Sequence, residues 1–264
     1  ASPDSDRAAV LETGLALGLE ISRQSGDYRP MAGWVQTLLS TSPPPRLRAV
    51  LNKTAPLLYL RTSAFAEARA CCKDAGVLRK WAIIGPFDND RGSGFSRAYP
   101  PEMKFDPEGE YAGKKGSVRW RPVAKTDPAG FLSFHDIVTP SSQAVVYALT
   151  QVRSDRKQNA VLRTGSNDGC KVWVNGHCVL GRDIVRPCRW DQDNVTVSLK
   201  KGANMILFKV LNHSGPWRLT ARLTDDAGNR TKGVRAGNPF SSPAAFSPRR
   251  PGAAPADDPP PDRA

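Results

Sequence analysis

The sequence predicts a mainly β protein: an antiparallel β-sandwich with a small α-helical segment before it and a disordered, proline-rich tail after it. Three observations lead to this fold class. Nine short runs of strand-like character lie between residues 118 and 224, separated by Gly, Asn, Asp or Pro. Asn175-Gly176 stands between two apolar runs, and apolar and polar side chains alternate through residues 217–224. Short strands at this spacing favour an antiparallel sandwich over a βαβ arrangement.

The helical segment is expected to contain four short amphipathic helices. The first ends at Gly26, and the second begins near Pro30 and stops at the three prolines 43–45. Over residues 46–75 the apolar spacing predicts two more helices, broken near Pro56. Four brief helices in succession resemble the last units of a helical-repeat array.

The sequence pattern changes at Gly76, where helical periodicity gives way to short runs rich in β-branched residues. A strand is expected at residues 81–87, followed by a long ordered loop over residues 88–116 whose aromatic residues pack on the body. Nine further strands follow, at 118–122, 131–137, 143–152, 160–164, 170–174, 177–180, 194–199, 204–211 and 217–224. Residues 204–211 are apolar on both faces, which predicts a central strand.

Two of the strands form a hairpin at Asn175-Gly176, because a type I′ turn needs positive φ at both central residues. The turn sets the predicted register, which pairs Val174 with His177, Trp173 with Cys178 and Val172 with Val179. In the last strand, Arg218, Thr220, Arg222 and Thr224 are expected on the solvated face.

The prediction for domain organisation has three parts: an α-helical, repeat-like segment at 1–76, a β-sandwich at 77–226 and a disordered basic tail at 227–264. The tail holds 8 prolines and two aromatic residues, without apolar periodicity. Such a segment cannot bury enough surface to offset the entropy of ordering it.

Net charge is +13, but the basic residues of the middle segment are scattered. A nucleic-acid surface usually has a dense basic stripe and a recognisable reading element. Solvated turns and strand faces are therefore expected, and no specific nucleic-acid partner. No apolar run is long enough to span a membrane.

The five cysteines have no spacing typical of a disulfide framework or a metal site. Cys178 and Cys188 make the only plausible close pair, and Cys170 lies on the opposite sheet face from Cys178. Buried free thiols are favoured.

Three motifs occur in order: Val77–Asn89 with its Gly-Pro-Phe-Asp-Asn end, Gly94-Phe95 with Tyr99–Glu102 and Tyr111–Lys114, and Ser166–Gly169 leading to Val172–Gly176 with Asp191–Asp193. Together they resemble the galactose-binding-like jelly-roll module that follows helical repeats and precedes transglutaminase-like regions in bacterial multidomain proteins. The hairpin is also similar to that of the non-catalytic sandwich domain of family 2 glycoside hydrolases. The resemblance implies a jelly-roll sandwich without intrinsic catalysis, with carbohydrate contact at one loop end. Where the resemblance implies a transglutaminase-like region, residues 227–264 are proline-rich, so the chain is expected to be either a part of a longer protein or a stand-alone relative of the module.

Five residues are candidate ligand contacts: Asn167, Asp168, Trp190 and Asp191 in the loops that flank the hairpin, and Trp173 in the hairpin itself. Trp190 stands in a polar loop without apolar neighbours, as expected of an aromatic platform for a sugar. Trp173 shares its face with Lys171, which predicts a partly solvated position.

A calcium site is the metal alternative, with Asp168, Asp191 and Asp193 as ligands, because hard oxygen donors on loops suit that ion. Against a calcium site, the loop after the hairpin also contains Arg182, Arg186 and Arg189, which would pair with those carboxylates. No other cofactor is expected.

The function is expected to be non-catalytic, since the three histidines have no nucleophile at a recognisable spacing. One hypothesis is a structural or assembly module that docks a protein partner through its helices. The other is a carbohydrate-binding module with a loop-end site. An exposed apolar patch on the helices favours the first, and a loop-end cleft favours the second. A periplasmic or extracellular location fits the resemblance and the chain's start at Ala1.

Overall fold

A computed structural model describes residues 3–123 and 126–240 of the chain. Over these residues the structure has four helices: α1 (Pro3–Ser25), α2 (Arg29–Ser40), α3 (Pro45–Arg61) and α4 (Phe65–Asp74). The expected break near Pro56 is wrong, because α3 continues through this residue and ends at Arg61. Pro56 has no backbone N–H, so the helix lacks one hydrogen bond at this residue, and burial of Ala55 and Leu58 in the helical core compensates for that loss. None of the described helices has the length and apolarity required to cross a membrane.

The described chain then forms thirteen strands. They are β1 (Trp81–Asp88), β2 (Glu110–Ala112), β3 (Ser117–Arg119), β4 (Arg121–Val123), β5 (Leu132–Ser133), β6 (Ala144–Ser154), β7 (Gln158–Ser166), β8 (Cys170–Val174), β9 (His177–Arg182), β10 (Asp193–Leu199), β11 (Gly202–Asn212), β12 (Arg218–Thr224) and β13 (Val234–Ala236).

These strands build two main sheets, in which every pairing is antiparallel. The larger has the order β4-β1-β6-β11-β8-β9, with β13 also paired to β6, and the smaller has the order β10-β7-β12-β5. The hairpin of β2 and β3 forms a separate small sheet. The mainly β sandwich with a small helical segment before it is therefore confirmed.

Both faces of the large sheet are buried, which explains the apolar runs of its central strands. On the inner face, Val146 and Phe208 pack with Leu162 and Leu219 of the small sheet. On the outer face, Tyr147 and Leu207 pack beneath the long loop between β1 and β4, which contributes aromatic residues. Those residues are Phe95, Tyr99, Phe105 and Tyr111, the four that the sequence placed against the body.

A buried lysine ties this loop to the sheet. Lys209 of β11 is fully buried, and its Nζ donates to the Arg97 carbonyl at 2.6 Å and to Glu102 Oε1 at 2.7 Å. Burial lowers the pKa of Lys209, and the Glu102 carboxylate opposes that shift. The Tyr147 hydroxyl donates to the same carboxylate. This cluster anchors the long loop on the outer face of the sheet.

The hairpin register is predicted correctly at the turn and deviates one step beyond it. Val174 pairs with His177 and Trp173 with Cys178, but Val172 pairs with Leu180 instead of Val179. A bulge at Val179 shifts the register, since one extra residue in β9 faces the partner strand.

The predicted tail boundary at residue 226 also needs correction. Residues 227–240 are described, and they include β13, which pairs with residues 152–154 of β6. Strand β1 covers only the first half of the eleven-residue β6, so β13 satisfies the backbone groups that β1 leaves open. Residues 241–264, the remainder of the predicted disordered tail, lie outside the described residues.

Candidate ligand-binding site

The loop between β7 and β8 holds neighbouring loops together. Asn167 and Asp168 are both buried, at 9% and 5% exposure. Asp168 Oδ1 accepts the backbone N–H of Arg186 at 3.2 Å, and its Oδ2 accepts that of His213 at 2.9 Å. The Asn167 amide donates to the Arg186 carbonyl at 3.1 Å. These two candidate ligand contacts therefore brace the β9–β10 and β11–β12 loops.

The glycines around this loop serve the same close packing. A Cβ on Gly165 would lie 1.7 Å from the Arg189 carbonyl oxygen, and one on Gly169 would lie 2.8 Å from that of Arg182. Both distances are too short for a side-chain carbon, so only glycine lets the β9–β10 loop pass here.

Asp191 is committed to a buried ion pair with Arg222. The guanidinium binds the carboxylate through two hydrogen bonds of 2.8 and 2.7 Å, and both side chains are about 5% exposed. Arg222 also donates to the carbonyls of Ala75 and Gly228, at 3.3 and 2.9 Å. Burial raises the pKa of Asp191, but the bonds and charge of Arg222 outweigh it and hold the pKa below its usual value. The pair joins the end of α4 to the sandwich.

This burial corrects the expectation for β12. Arg218 is exposed, as predicted for the solvated face, but Thr220, Arg222 and Thr224 are buried. The chain after α4 runs beside β12, where Val77 bridges to Arg222. Alternation along one strand cannot show that a helical segment covers its polar face.

Asp193 also has arginine partners. Its carboxylate accepts from Arg182 Nε at 3.2 Å and from the Arg186 guanidinium. Within the described residues, no group of three or more His, Cys, Asp or Glu side chains is placed to hold a metal ion. The structure thus commits Asp168 to backbone N–H groups, Asp191 to Arg222 and Asp193 to Arg182 and Arg186. The pairing of Asp193 agrees with the arginine alternative weighed from the sequence.

The two candidate tryptophans are buried, contrary to the solvated positions expected for them. Trp190 is 6% exposed and packs with Cys72 of α4 and with Phe131, while the Arg222 guanidinium lies 5.6 Å from its ring centroid. Trp173 is 2% exposed, on the outer face of the large sheet. Polar sequence neighbours gave Trp190 a solvated appearance, whereas distant residues supply its apolar contacts.

A cleft of about 270 Å³ lies at the loop end, beside the predicted loop. Its lining includes Ser133, His135, Asp136, Pro216, Trp217 and Arg218. The Asn167 N–H donates to the Arg218 carbonyl at 3.0 Å, and Asp168 holds the start of the β11–β12 loop through His213. The predicted residues therefore support one wall of this cleft without lining it.

The cleft carries charges of both signs. Among the described residues, neither the Asp136 carboxylate nor the Arg218 guanidinium forms a hydrogen bond or an ion pair. His135 Nδ1 lies 3.2 Å from the Ser141 hydroxyl. Burial raises the pKa of nearby Asp127, and the Phe131 N–H and the charge of Arg218 oppose that shift.

Sequence reasoning missed this cleft because its walls come from distant segments. Ser133 and Arg218 face each other across the β5–β12 pairing, 85 positions apart in the chain. The available signals were the adjacent His135-Asp136 and the Gly215-Pro216 turn before an exposed arginine. Neither signal indicates a pairing partner.

Comparisons with known proteins give similarity to solved structures alone. No protein-family model matches the sequence, and no curated protein matches it. The solved structures include a family 35 carbohydrate-binding module from an environmental isolate, with 18% identity and a TM-score of 0.30, covering 44% of this chain and 82% of that one. A PA14 sugar-binding domain from an RTX adhesin has 12% identity and a TM-score of 0.32, covering 66% and 99%.

A β-glucosidase from Kluyveromyces marxianus, in complex with glucose, is also similar. It has 10% identity and a TM-score of 0.34, and the match covers 55% of this chain and 16% of that enzyme. This chain therefore spans about a sixth of the glucosidase. At these identities and scores, the functions of the three proteins do not transfer to this chain.

Proposed function

We propose that this chain is a non-catalytic binding module whose loop-end cleft holds a carbohydrate. The observation that carries the proposal is that one cleft holds two exposed charged side chains, Asp136 and Arg218, neither of which forms a hydrogen bond or an ion pair with another described residue. Charged groups without partners in the protein are free to bind a ligand. The proposal retains the galactose-binding-like type of sandwich and a periplasmic or extracellular location.

The chemistry of the cleft suits sugar hydroxyls, each of which both donates and accepts hydrogen bonds. Asp136 offers acceptors, Arg218 offers donors, and the Ser133 hydroxyl offers both. Trp217 is fully buried behind this lining, with its ring centroid 5.4 Å from that of Phe134, so it supports the wall and exposes no ring surface to a ligand. Ligand pockets generally measure roughly 300–1,000 Å³, so a cleft of about 270 Å³ fits a small ligand such as a single sugar unit.

The thiols support a binding role over catalysis. Burial raises the pKa of Cys72 and Cys188 to about 12, and that of Cys71 and Cys170 to about 11. Burial raises the pKa of Cys178 as well. A cysteine nucleophile acts as the thiolate, and the raised pKa values disfavour the thiolate form of these cysteines at neutral pH.

The test is a glycan array probed with the full chain, followed by calorimetry on the best glycan. Asp136→Ala and Arg218→Ala are each expected to weaken binding at least tenfold, equivalent to about 1.4 kcal/mol. Asp226→Ala, at the opposite end of β12, is the matched surface control and should change affinity less than twofold. Absence of any bound glycan, or full affinity in both cleft variants, would refute the proposal.

A second candidate function, docking of a protein partner, is favoured by one face of α1. Val10, Leu17 and Ile21 are 71%, 62% and 57% exposed. Their spacing of seven and four residues puts all three on one stripe of the helix. Such an apolar stripe is the feature that the sequence analysis linked to an assembly role, and an amphipathic helix of a partner would fit it.

Co-purification from the native source tests this second candidate. Leu17→Glu should abolish co-purification of a stoichiometric partner. Gln36→Glu makes an equal change of charge on the exposed surface of α2 and should retain the partner. A partner that persists with Leu17→Glu would show that α1 is not the docking face.

A further inference from the structure

A second cleft lies at the other end of β12, between the helical segment and the C-terminal part of the described chain. It measures about 260 Å³ and is lined by residues 76–80, by Leu223 and by residues 230–236 except 232 and 233, with further lining from Lys73 and Val152. The linker after α4 approaches β12 closely here, since a Cβ on Gly76 would lie 2.4 Å from the Leu223 carbonyl oxygen. The cleft is therefore built from three separate segments of the chain.

Its charged lining residues are all basic. They are Lys73, Arg79, Lys80, Arg230 and Arg235. Arg235 pairs with Asp155 at 3.0 Å, outside the cleft lining. Within the described residues, the other four form no ion pair. Arg79 donates to the carbonyls of Pro128 and Asp127, and Arg230 donates to that of Val234, so Lys73 and Lys80 are the cations most available to an anionic ligand.

One wall of the cleft is the outer edge of strand β13. The Asp155 N–H donates to the Gly233 carbonyl and the Gly237 N–H donates to the Gln151 carbonyl, so these two glycines face β6. Antiparallel pairing uses alternate residues, and the backbone groups of Val234 and Ala236 therefore point away from β6. Among the described residues β13 pairs with β6 alone. The outward Val234 carbonyl accepts from the Arg230 guanidinium at 3.1 Å, so the Val234 N–H and the N–H and carbonyl of Ala236 are the groups that an added strand would use.

The floor is aliphatic. Val77, Leu78, Val152, Leu223 and Val234 contribute to it, and the lining contains no aromatic residue. Without an aromatic ring the cleft offers no stacking surface for a nucleic-acid base. An aliphatic side chain fits such a floor, and carboxylates at neighbouring positions would reach the basic rim.

We propose that this cleft binds an acidic peptide segment of a protein partner, extended along the open edge of β13. The peptide backbone bonds to the Val234 N–H and to the outward N–H and carbonyl of Ala236. Its carboxylates meet Lys73 and Lys80, with the charges of Arg79 and Arg230 beside them. This is strand addition to a sheet edge, in which main-chain bonds supply affinity and side chains supply specificity. The site is separate from the loop-end cleft, so it stands or falls independently of carbohydrate binding.

The test uses a fluorescein-labelled peptide of alternating glutamate and valine, with fluorescence anisotropy on the full chain in 150 mM salt. Lys73→Glu combined with Lys80→Glu should weaken binding at least tenfold. Lys200→Glu combined with Lys201→Glu, at the β10–β11 turn, makes the same change of net charge and should alter affinity less than twofold. Equal losses in both pairs would reduce the interaction to general attraction between opposite charges and overturn the site.

A second variant tests the strand edge. Ala236→Pro removes an outward N–H and leaves the bonds to β6, so it should weaken the peptide threefold or more with an unchanged thermal midpoint. Unchanged affinity in this variant overturns strand addition. A sulfated hexasaccharide serves as the competing polyanion. The concentration of hexasaccharide that displaces the labelled peptide is compared with the concentration of unlabelled peptide that does so. A lower value for the hexasaccharide would assign the cleft to an acidic glycan, which also overturns the proposal.

Discussion

Removing the Arg222 guanidinium is expected to destabilise the junction between the helices and the sandwich. Arg222→Ala leaves the Asp191 carboxylate buried, with only Lys53 Nζ remaining, at 3.6 Å. It also leaves the carbonyls of Ala75 and Gly228 without their donor. Breaking one side of a buried ion pair costs about 3–5 kcal/mol. For a chain of this size that corresponds to a fall of roughly 6–20 °C in the thermal midpoint.

The assay is guanidinium denaturation followed by far-UV circular dichroism and tryptophan fluorescence, which should give coincident transitions. Lys53→Ala is the matched control, because this lysine is half-exposed and its ion pair is long. The control should cost less than about 1 kcal/mol. Equal costs for Arg222→Ala and Lys53→Ala would refute the assignment of the buried pair as the link.

The same pair makes a prediction for pH. The pKa of Asp191 is lowered in the folded state, so its contribution to stability is complete above the ordinary value of 3.8 and is lost as pH falls through the lowered pKa. Asp191→Asn should therefore show a weaker loss of stability on acidification below pH 3.8 than the wild type does. An identical acid dependence in both would contradict the shift.

Three further predictions follow from buried side chains. Lys209→Met leaves Glu102 without its cation, so it should cost about 3–5 kcal/mol and expose the loop before β2 to trypsin, measured by limited proteolysis. Trp190→Ala should cost about 3–5 kcal/mol in a denaturant titration, with glycan binding retained, since Trp190 lines no part of the loop-end cleft. Cys178 is exposed and should react first with a thiol reagent, whereas buried Cys170 should react only after unfolding. Mass spectrometry measures the order of labelling, and reaction of both thiols at the same rate would contradict the burial pattern.

The described helices and most strands could be predicted because their signals are local. The Asn175-Gly176 turn determined where two strands meet, and the doubly apolar run around Phe208 indicated a central strand. Local signals also gave the long loop whose aromatic residues cover the sheet. The break at Pro56 was wrong because helix-breaking is a local penalty that tertiary burial can exceed.

The candidate site was less predictable, since burial depends on residues far away in the chain. Trp190 and Asp191 looked solvated from their neighbours, but α4 and Arg222 enclose them. The sequence predicts Asn167 and Asp168 as ligand contacts. Their side chains satisfy backbone groups of adjoining loops, a role that turn chemistry alone does not distinguish from ligand binding.

The sequence by itself determined the fold class, the hairpin turn and the order of helices before strands, because periodicity and turn residues act within a few positions. Only the tertiary structure decided which polar side chains face each other. Arg222 finds Asp191 across 31 positions, and Ser133 meets Arg218 through strand pairing. Such contacts depend on how sheets and loops pack in three dimensions, and that packing places the two open clefts at opposite ends of β12.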